Sequence, residues 1–320
     1  MRHKVRWGVL GTGRIAVGAH VPAIVHSSNA TLVAMGTRGV ARRAELERSA
    51  AGCIVHDSYE ALIADENVDA VYIGLPNGMH EAWALAAARR GKHVLCDKSL
   101  ALDTGAALRM REACAAANVR LMEGFMYRHH PQWDRVRELV DSGALGTVRS
   151  IHAWLTGTAN DDDHRWSADL GGGALFDVTA YGINIARLIT QEEPAQILAT
   201  ADMRGAVDQS SHVTLRFASG VLATAVGSLC AAASQGVVIV GHKGTLRVTA
   251  PVVPHFEPAV LALDTGGGTQ AIHVSGANHF LHQIEHFSAC VLDASRPLWP
   301  GEDGVANVTV CDAARRAYKI

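Results

Sequence analysis

Val5-Arg6-Trp7-Gly8-Val9-Leu10-Gly11-Thr12-Gly13-Arg14-Ile15-Ala16 is the stretch from which the fold can be read. Val5, Trp7, Val9 and Leu10 make a short apolar strand, and Gly11, Gly13 and Ala16 stand at the spacing of a dinucleotide-binding fingerprint, G-x-G-x-x-A. Gly11 permits the tight turn out of the strand, Gly13 lets main chain approach a pyrophosphate, and Ala16 allows a helix to pack closely on the sheet. That helix is predicted to begin near Arg14, so Thr12, Gly13, Arg14 and Ile15 would present free N–H groups and the positive dipole end to the phosphates. An ordinary Gly-rich turn has the same letters. The context favours the fingerprint: a strand before it, a helix after it, and a second strand over Thr31–Gly36.

Strand and helix patterns alternate through residue 124. Helices are predicted over 14–26, 40–51, 59–65, 79–90 and 104–117, and strands over 70–75, 93–97 and 119–123. Such alternation with short links gives a doubly wound parallel sheet, a Rossmann domain over residues 1–124, with ligands beyond the C-terminal strand ends. The second strand ends in Met35-Gly36-Thr37-Arg38 and lacks the acid that binds a free ribose 2′-hydroxyl. Thr37 and Arg38, with Arg42 and Arg43 behind, suit a 2′-phosphate, so NADP(H) is preferred, with NAD(H) the alternative; solvated helix-start arginines are the bland reading. Leu75-Pro76-Asn77-Gly78-Met79-His80 forms a polar strand exit where a nicotinamide ribose would lie, which makes Leu75, Asn77 and His80 cofactor candidates. Lys98 follows the strand over 93–97 and would project a cation into the same crevice, although a lysine there is usually only a solvated surface residue.

The 320 residues exceed one average domain, and an apolar fraction of 48% supports full cores. A formal charge of −2 argues against nucleic acid or an anionic membrane as partner. Cys53, Cys96, Cys114, Cys230, Cys290 and Cys311 form no C-x-x-C pair, so reduced, mostly buried thiols in a cytoplasmic protein are expected. Met1 lies too close to the first strand to leave room for a signal peptide's apolar region, and no apolar run reaches the length of a membrane span.

From Ser150 onward the pattern changes to successive β segments broken by Gly, Asp and Ser turns. The reading is an α+β domain over 125–320 with an open, mainly antiparallel sheet. A helix is predicted over 172–189, where Asp177, Tyr181 and Asn184 fall at i, i+4 and i+7 on one face. A buried Asp and Tyr that merely bond each other would give the same pattern. The polar stretch 160–166 just upstream favours a substrate pocket, with Arg165 available to substrate hydroxyls. His279, His282 and His286 recur at i, i+3 and i+7, a spacing compatible with zinc. A polar or interdomain helix face explains it equally, and no metal is assigned.

Several of these segments carry a family resemblance. Gly8-Val9-Leu10-Gly11-Thr12-Gly13-Arg14-Ile15-Ala16, Gly74-Leu75-Pro76-Asn77 with His80, and Gly91-Lys92-His93-Val94-Leu95-Cys96-Asp97-Lys98-Ser99-Leu100 resemble the glucose–fructose oxidoreductase, inositol dehydrogenase and MocA family. Glu123-Gly124-Phe125-Met126-Tyr127-Arg128-His129-His130-Pro131 is similar to its xylose dehydrogenase and dimeric dihydrodiol dehydrogenase branch, and Gly171 to Tyr181 is similar to its substrate-domain motif. The family's usual Glu-Lys-Pro stands here as Asp97-Lys98-Ser99. The lysine is kept, the acid is shorter, and the proline that commonly follows a cis peptide bond is lost; serine favours that bond far less.

The resemblance implies an NADP(H)-dependent oxidoreductase acting on the CH–OH group of a sugar, keto-sugar or related polyol. Lys98, Tyr181 and Asp177 are then the catalytic set, Asp97 and Lys98 join the cofactor contacts, and Lys98, Tyr127, Arg128, Arg165, Asp177 and Tyr181 meet substrate. Tyr181 serves as acid/base, with the Lys98 cation favouring its phenolate and Asp177 orienting substrate or lysine. The family also implies a homodimer or homotetramer through the outer face of the open sheet. Two other readings stay open: a glycosidase of the same family that retains NAD, and a cofactor-binding regulator with degraded catalysis.

Overall fold

A computed structural model describes residues 4–39, 46, 52–254 and 257–319. The chain divides into two units, Met1–Phe125 with Phe280–Val308, and Met126–His279 with Thr309–Ile320.

In the first unit β1 (Val5–Leu10), β2 (Ala30–Gly36), β3 (Ile54–His56), β4 (Ala70–Ile73), β5 (His93–Cys96) and β6 (Leu121–Glu123) form a sheet in the order β3-β2-β1-β4-β5-β6. All five pairings are parallel. Side chains alternate between faces with period two, and both faces are buried, as an all-parallel sheet requires. Leu10, Val71, Ile73, Val94 and Cys96 share a cluster with residues of the helices Tyr59–Ala64, His80–Arg89 and Thr104–Ala116. Val5, Trp7, Val9, Tyr72 and Leu95 share the opposite one with Ala23, Ile24, Ile284 and Phe287. Side-chain caps set two helix starts: Ser58 accepts the Ala61 N–H at 3.1 Å, and Asp103 accepts the Ala106 N–H at 2.8 Å.

The sequence expectation groups 125–320 as one domain, whereas the packing places residues 280–308 with the first unit. Residues 280–308 belong to the first unit because the Trp7 indole needs a cover that its own βα segments do not provide. Phe287 supplies it, with ring centroids 5.6 Å apart, and Trp7 Nε1 donates to Ser288 Oγ at 3.0 Å. The helix expected over 40–51 lies outside the described residues apart from Leu46, as do Arg42 and Arg43. β3 and the helices Pro131–Asp141 and Gly301–Arg316 had no counterpart in the sequence reading.

The second unit holds β7 (Val148–Thr158), β8 (Gln196–Arg204), β9 (Val207–Arg216), β10 (Leu222–Ser228), β11 (Cys230–Gly241), β12 (Thr245–Val248), β13 (Ala259–Asp264), β14 (Thr269–Val274) and β15 (Tyr318–Lys319). Their order is β14-β13-β12-β11-β7-β10-β9-β8-β15, antiparallel except for β7 with β10 and β8 with β15. One register row, Ala199-Val213-Ala225-Ala153-Val237-Val248-Leu261, crosses seven strands and is buried throughout. The helix Ala180–Thr190 lies on this face at Gly182, where a Cβ would stand 2.7 Å from the Ala225 methyl. The other face carries Leu198 on β8, Leu222 on β10 and Val260 on β13, all exposed. Among the described residues no helix is long and apolar enough to cross a membrane.

Candidate functional site

The fingerprint loop leaves β1 through Gly11, whose φ of +99° and closeness to the Gly74 carbonyl admit only glycine. Nothing stands within 4 Å of a Cβ built on Gly13, and Gly13, Arg14 and Ile15 are exposed at the start of a helical segment running from 14 to 26. Its first complete turns, Ala16–His20, are π-helical, and the Ala16 Cβ lies 3.2 Å from one built on Gly74. An open glycine at the start of a helix fits a pyrophosphate.

At the end of β2 the Thr37 hydroxyl accepts the Gly39 N–H at 3.2 Å, which shapes the turn that carries Arg38. Arg38 is exposed, and its guanidinium lies 5.4 Å from the Tyr59 ring centroid. Among the described residues that follow β2, Thr37-Arg38-Gly39, no acid stands, and the cation of Arg38 is available to solvent.

β4 continues through Leu75 into a 3₁₀ turn, Asn77–Met79, and then the helix His80–Arg89. His80 is 0% exposed, with Nε2 2.8 Å from the Leu75 carbonyl oxygen and Nδ1 2.9 Å from that of Ser99. The residue expected as a cofactor contact thus has a main-chain carbonyl oxygen at each ring nitrogen. Lys98 and Asp97 leave β5 half-buried, with the Lys98 N–H donating to Asp97 Oδ1 at 2.9 Å. The Lys98–Ser99 peptide bond is cis.

In the second unit Gly171 to Ala174 lead into another π-helical stretch, Leu175–Thr179, continuous with the helix Ala180–Thr190. π-Turns inside helices gather at functional sites. Asp177 Oδ2 pairs with Arg165 Nε at 2.5 Å, and Arg165 Nη1 reaches Asp163 Oδ2 at 3.0 Å. Burial works against the guanidinium charge, but Asp177 and Asp163 outweigh it and hold the Arg165 pKa above its ordinary value. Tyr181 is nearly buried, and its hydroxyl points to Met126 Sδ at 3.7 Å.

Tyr181 and Asn184 both follow the π stretch, on the helix Ala180–Thr190. Asn184 is wholly buried, accepting from Tyr127 Oη at 2.5 Å and from Arg128 Nε at 2.7 Å. Tyr127, expected at the substrate, is buried too; its ring packs at 5.9 Å from that of Tyr181 and 5.3 Å from that of Trp133. It supports the Tyr181 ring, and Arg128 spends its Nε on Asn184.

Two buried acids were missed in the sequence reading. Glu123 ends β6 and accepts the Leu100 N–H at 2.7 Å, and Asp208 on β9 accepts the Leu175 N–H at 2.7 Å. For Glu123 the available signal was an acid closing the otherwise apolar strand Leu121–Glu123; Asp208 lies in the polar first half of β9 and carried no such signal. Among the described residues no group of His, Cys, Asp and Glu side chains is arranged to hold a metal ion. His286 instead accepts the Leu298 N–H on Nε2 at 3.1 Å, and burial pushes its pKa down.

Residues 5–125 match the model of the oxidoreductase family with an NAD-binding Rossmann fold, and residues 133–247 match the GFO/IDH/MocA C-terminal domain. A D-xylose 1-dehydrogenase (NADP(+)) from Haloferax volcanii is 33% identical over 96% of this chain and 95% of its own. A dTDP-3,4-didehydro-2,6-dideoxy-α-D-glucose 3-reductase from Actinomadura kijaniata is 30% identical over 97% of this chain and 95% of its own. Among solved structures, a mutant 3-ketoreductase from Actinomadura kijaniata in complex with TDP-benzene and NADP superposes with a TM-score of 0.94 at 28% identity, covering 99% of this chain and 98% of that one. With both units matched and the similarity running nearly end to end, the chain belongs to the GFO/IDH/MocA family of oxidoreductases and carries its NAD-binding Rossmann domain.

Proposed function

We propose that this protein is an NADP(H)-dependent oxidoreductase that transfers a hydride between nicotinamide and a sugar, keto-sugar or related polyol. The observation that carries the reading is the full-length similarity to enzymes whose names specify sugar substrates, one of them with NADP(+). An exposed Arg38 at an acid-free β2 end supports the phosphorylated cofactor.

The fingerprint residues Gly11 to Ile15 would hold the pyrophosphate, and Thr37 and Arg38 the 2′-phosphate. Leu75, Asn77, Asp97 and Lys98 are assigned to the nicotinamide end. When bound, the cofactor supplies the hydride acceptor or donor. Tyr181 gives or takes the proton of the reacting hydroxyl at its phenolic oxygen, and the Lys98 ammonium stabilises negative charge on that oxygen. The Asp177–Arg165 pair, with Asp163, offers acceptors and donors fixed in one place, which suits a substrate with several hydroxyl groups. Tyr127 backs the Tyr181 ring.

The test is a panel of aldoses, inositols, trans-dihydrodiols and nucleotide-linked keto-sugars, each with NADP+ or NADPH, followed by nicotinamide absorbance. Turnover of a carbohydrate is expected, with NADP(H) preferred over NAD(H). Glycoside cleavage without net change in the nicotinamide signal would overturn the reading, as would cofactor binding without turnover of any compound.

A further inference from the structure

We propose that His80 is a positioning residue which, together with Glu123, fixes the main chain that carries Lys98 and acts on the reaction through that lysine. The inference rests on the reading above in which Lys98 is catalytic.

The geometry lies within the first unit. β4, β5 and β6 are neighbours, and the segment Asp97–Leu100 leaves the middle one. On the β4 side the buried His80 imidazole spans two carbonyl oxygens, 2.8 Å from that of Leu75 and 2.9 Å from that of Ser99. On the β6 side the buried Glu123 carboxylate takes the Leu100 N–H at 2.7 Å. The two residues immediately after Lys98 are thus each held by a buried side chain from an adjacent strand exit. Before it, Asp97 donates its N–H to the Ile73 carbonyl at 3.0 Å, which ties the same segment to β4. Lys98 is left with a fixed Cα and a half-buried side chain. A cation meant to meet one oxygen needs such an origin, because a misplacement of about 1 Å far from the chemistry can cost about 10²-fold in rate.

A neutral imidazole donates to one carbonyl and keeps the other as a close neighbour. Burial outweighs the raising effects of the Asp97 carboxylate and the two carbonyls and, with the Lys98 cation acting in the same sense, holds the His80 pKa below its ordinary value. The ring therefore belongs electrically to the same group as Asp97 and Lys98.

His80→Gln retains an N–H donor for these carbonyls, whereas His80→Leu strands both and tests the limit. With the best sugar of the panel, His80→Gln is expected to lower kcat by about 10- to 100-fold in the native background and by less than about threefold in Lys98→Met. NADPH affinity, read from protein fluorescence, should change by less than about threefold. The chain has five lysines, Lys4, Lys92, Lys98, Lys243 and Lys319. Reductive ¹³C-dimethylation therefore gives an assignable NMR signal for Lys98, which His80→Gln should move while that of Lys243 stays in place.

Equal loss of kcat in both backgrounds would overturn the inference, as would an unmoved Lys98 signal. NADPH binding weakened about tenfold or more would return His80 to the cofactor contacts. If Lys98→Met retains native turnover, the catalytic reading of Lys98 fails by itself, and the NMR signal still decides whether His80 positions that lysine.

Discussion

Asp208 accepts the Leu175 amide N–H at 2.7 Å, so a buried carboxylate on β9 holds the first turn of the helical segment that carries Asp177 and Tyr181. Burial pushes the Asp208 carboxyl up from 3.8 to about 6, against the opposing effect of the Leu175 amide. A folded-state value above the unfolded one means that the native state holds the proton more tightly. The resulting stabilisation, about 3 kcal/mol for a shift of this size, is complete below about pH 4 and lost as pH rises through about 6. Asp208→Asn keeps an oxygen for the Leu175 amide and cannot ionise. Its stability relative to wild type should improve by about 2–3 kcal/mol between pH 4.5 and 7.5, measured by urea unfolding. Parallel pH curves for the two proteins would remove Asp208 as the titrating group.

Arg38→Asp replaces the cation at the end of β2 by a repelling charge. NADP binding should weaken by at least about tenfold more than NAD binding, since only the former presents a 2′-phosphate there. Isothermal titration with both cofactors checks this, and equal losses would sink the assignment.

Tyr181→Phe keeps the ring that packs on Tyr127 and deletes the one group proposed to move the proton. Turnover should fall by about 10² to 10⁴ with cofactor affinity nearly unchanged. Lys98→Met keeps the apolar stem without the charge and should lower turnover as well. If the two act as a unit, the double variant is scarcely worse than either single one; simple multiplication of the losses would mean independent roles.

Leu198, 65% exposed, and Leu222, 50% exposed, lie on the sheet face opposite the buried register row. A face that exposes large apolar side chains among polar ones calls for a partner, and a homodimer or homotetramer through it is expected. Leu198→Glu with Leu222→Glu should shift the sedimentation coefficient to that of a monomer while far-UV circular dichroism stays the same. A wild-type monomer at micromolar concentration would contradict the assembly.

The sequence alone sufficed where the determining interactions are local. Gly11, Gly13 and Ala16 are dictated by steric demands within a few residues of a strand–helix turn, and the period-two pattern of Val5, Trp7 and Val9 marks a sheet face before any partner is known. The acid missing after Gly36 is likewise visible in one short stretch. Tertiary structure decided the polar interior. Whether His80, Tyr127 or Asn184 faces a ligand or another part of the chain depends on atoms 19 residues away for His80 and 57 for the other two. The return of residues 280–308 to cover Trp7 is a contact across 281 residues. A buried polar atom must find a partner somewhere, and the requirement is written in its chemistry; the identity of the partner is not, because it depends on which distant segments the packed core brings alongside.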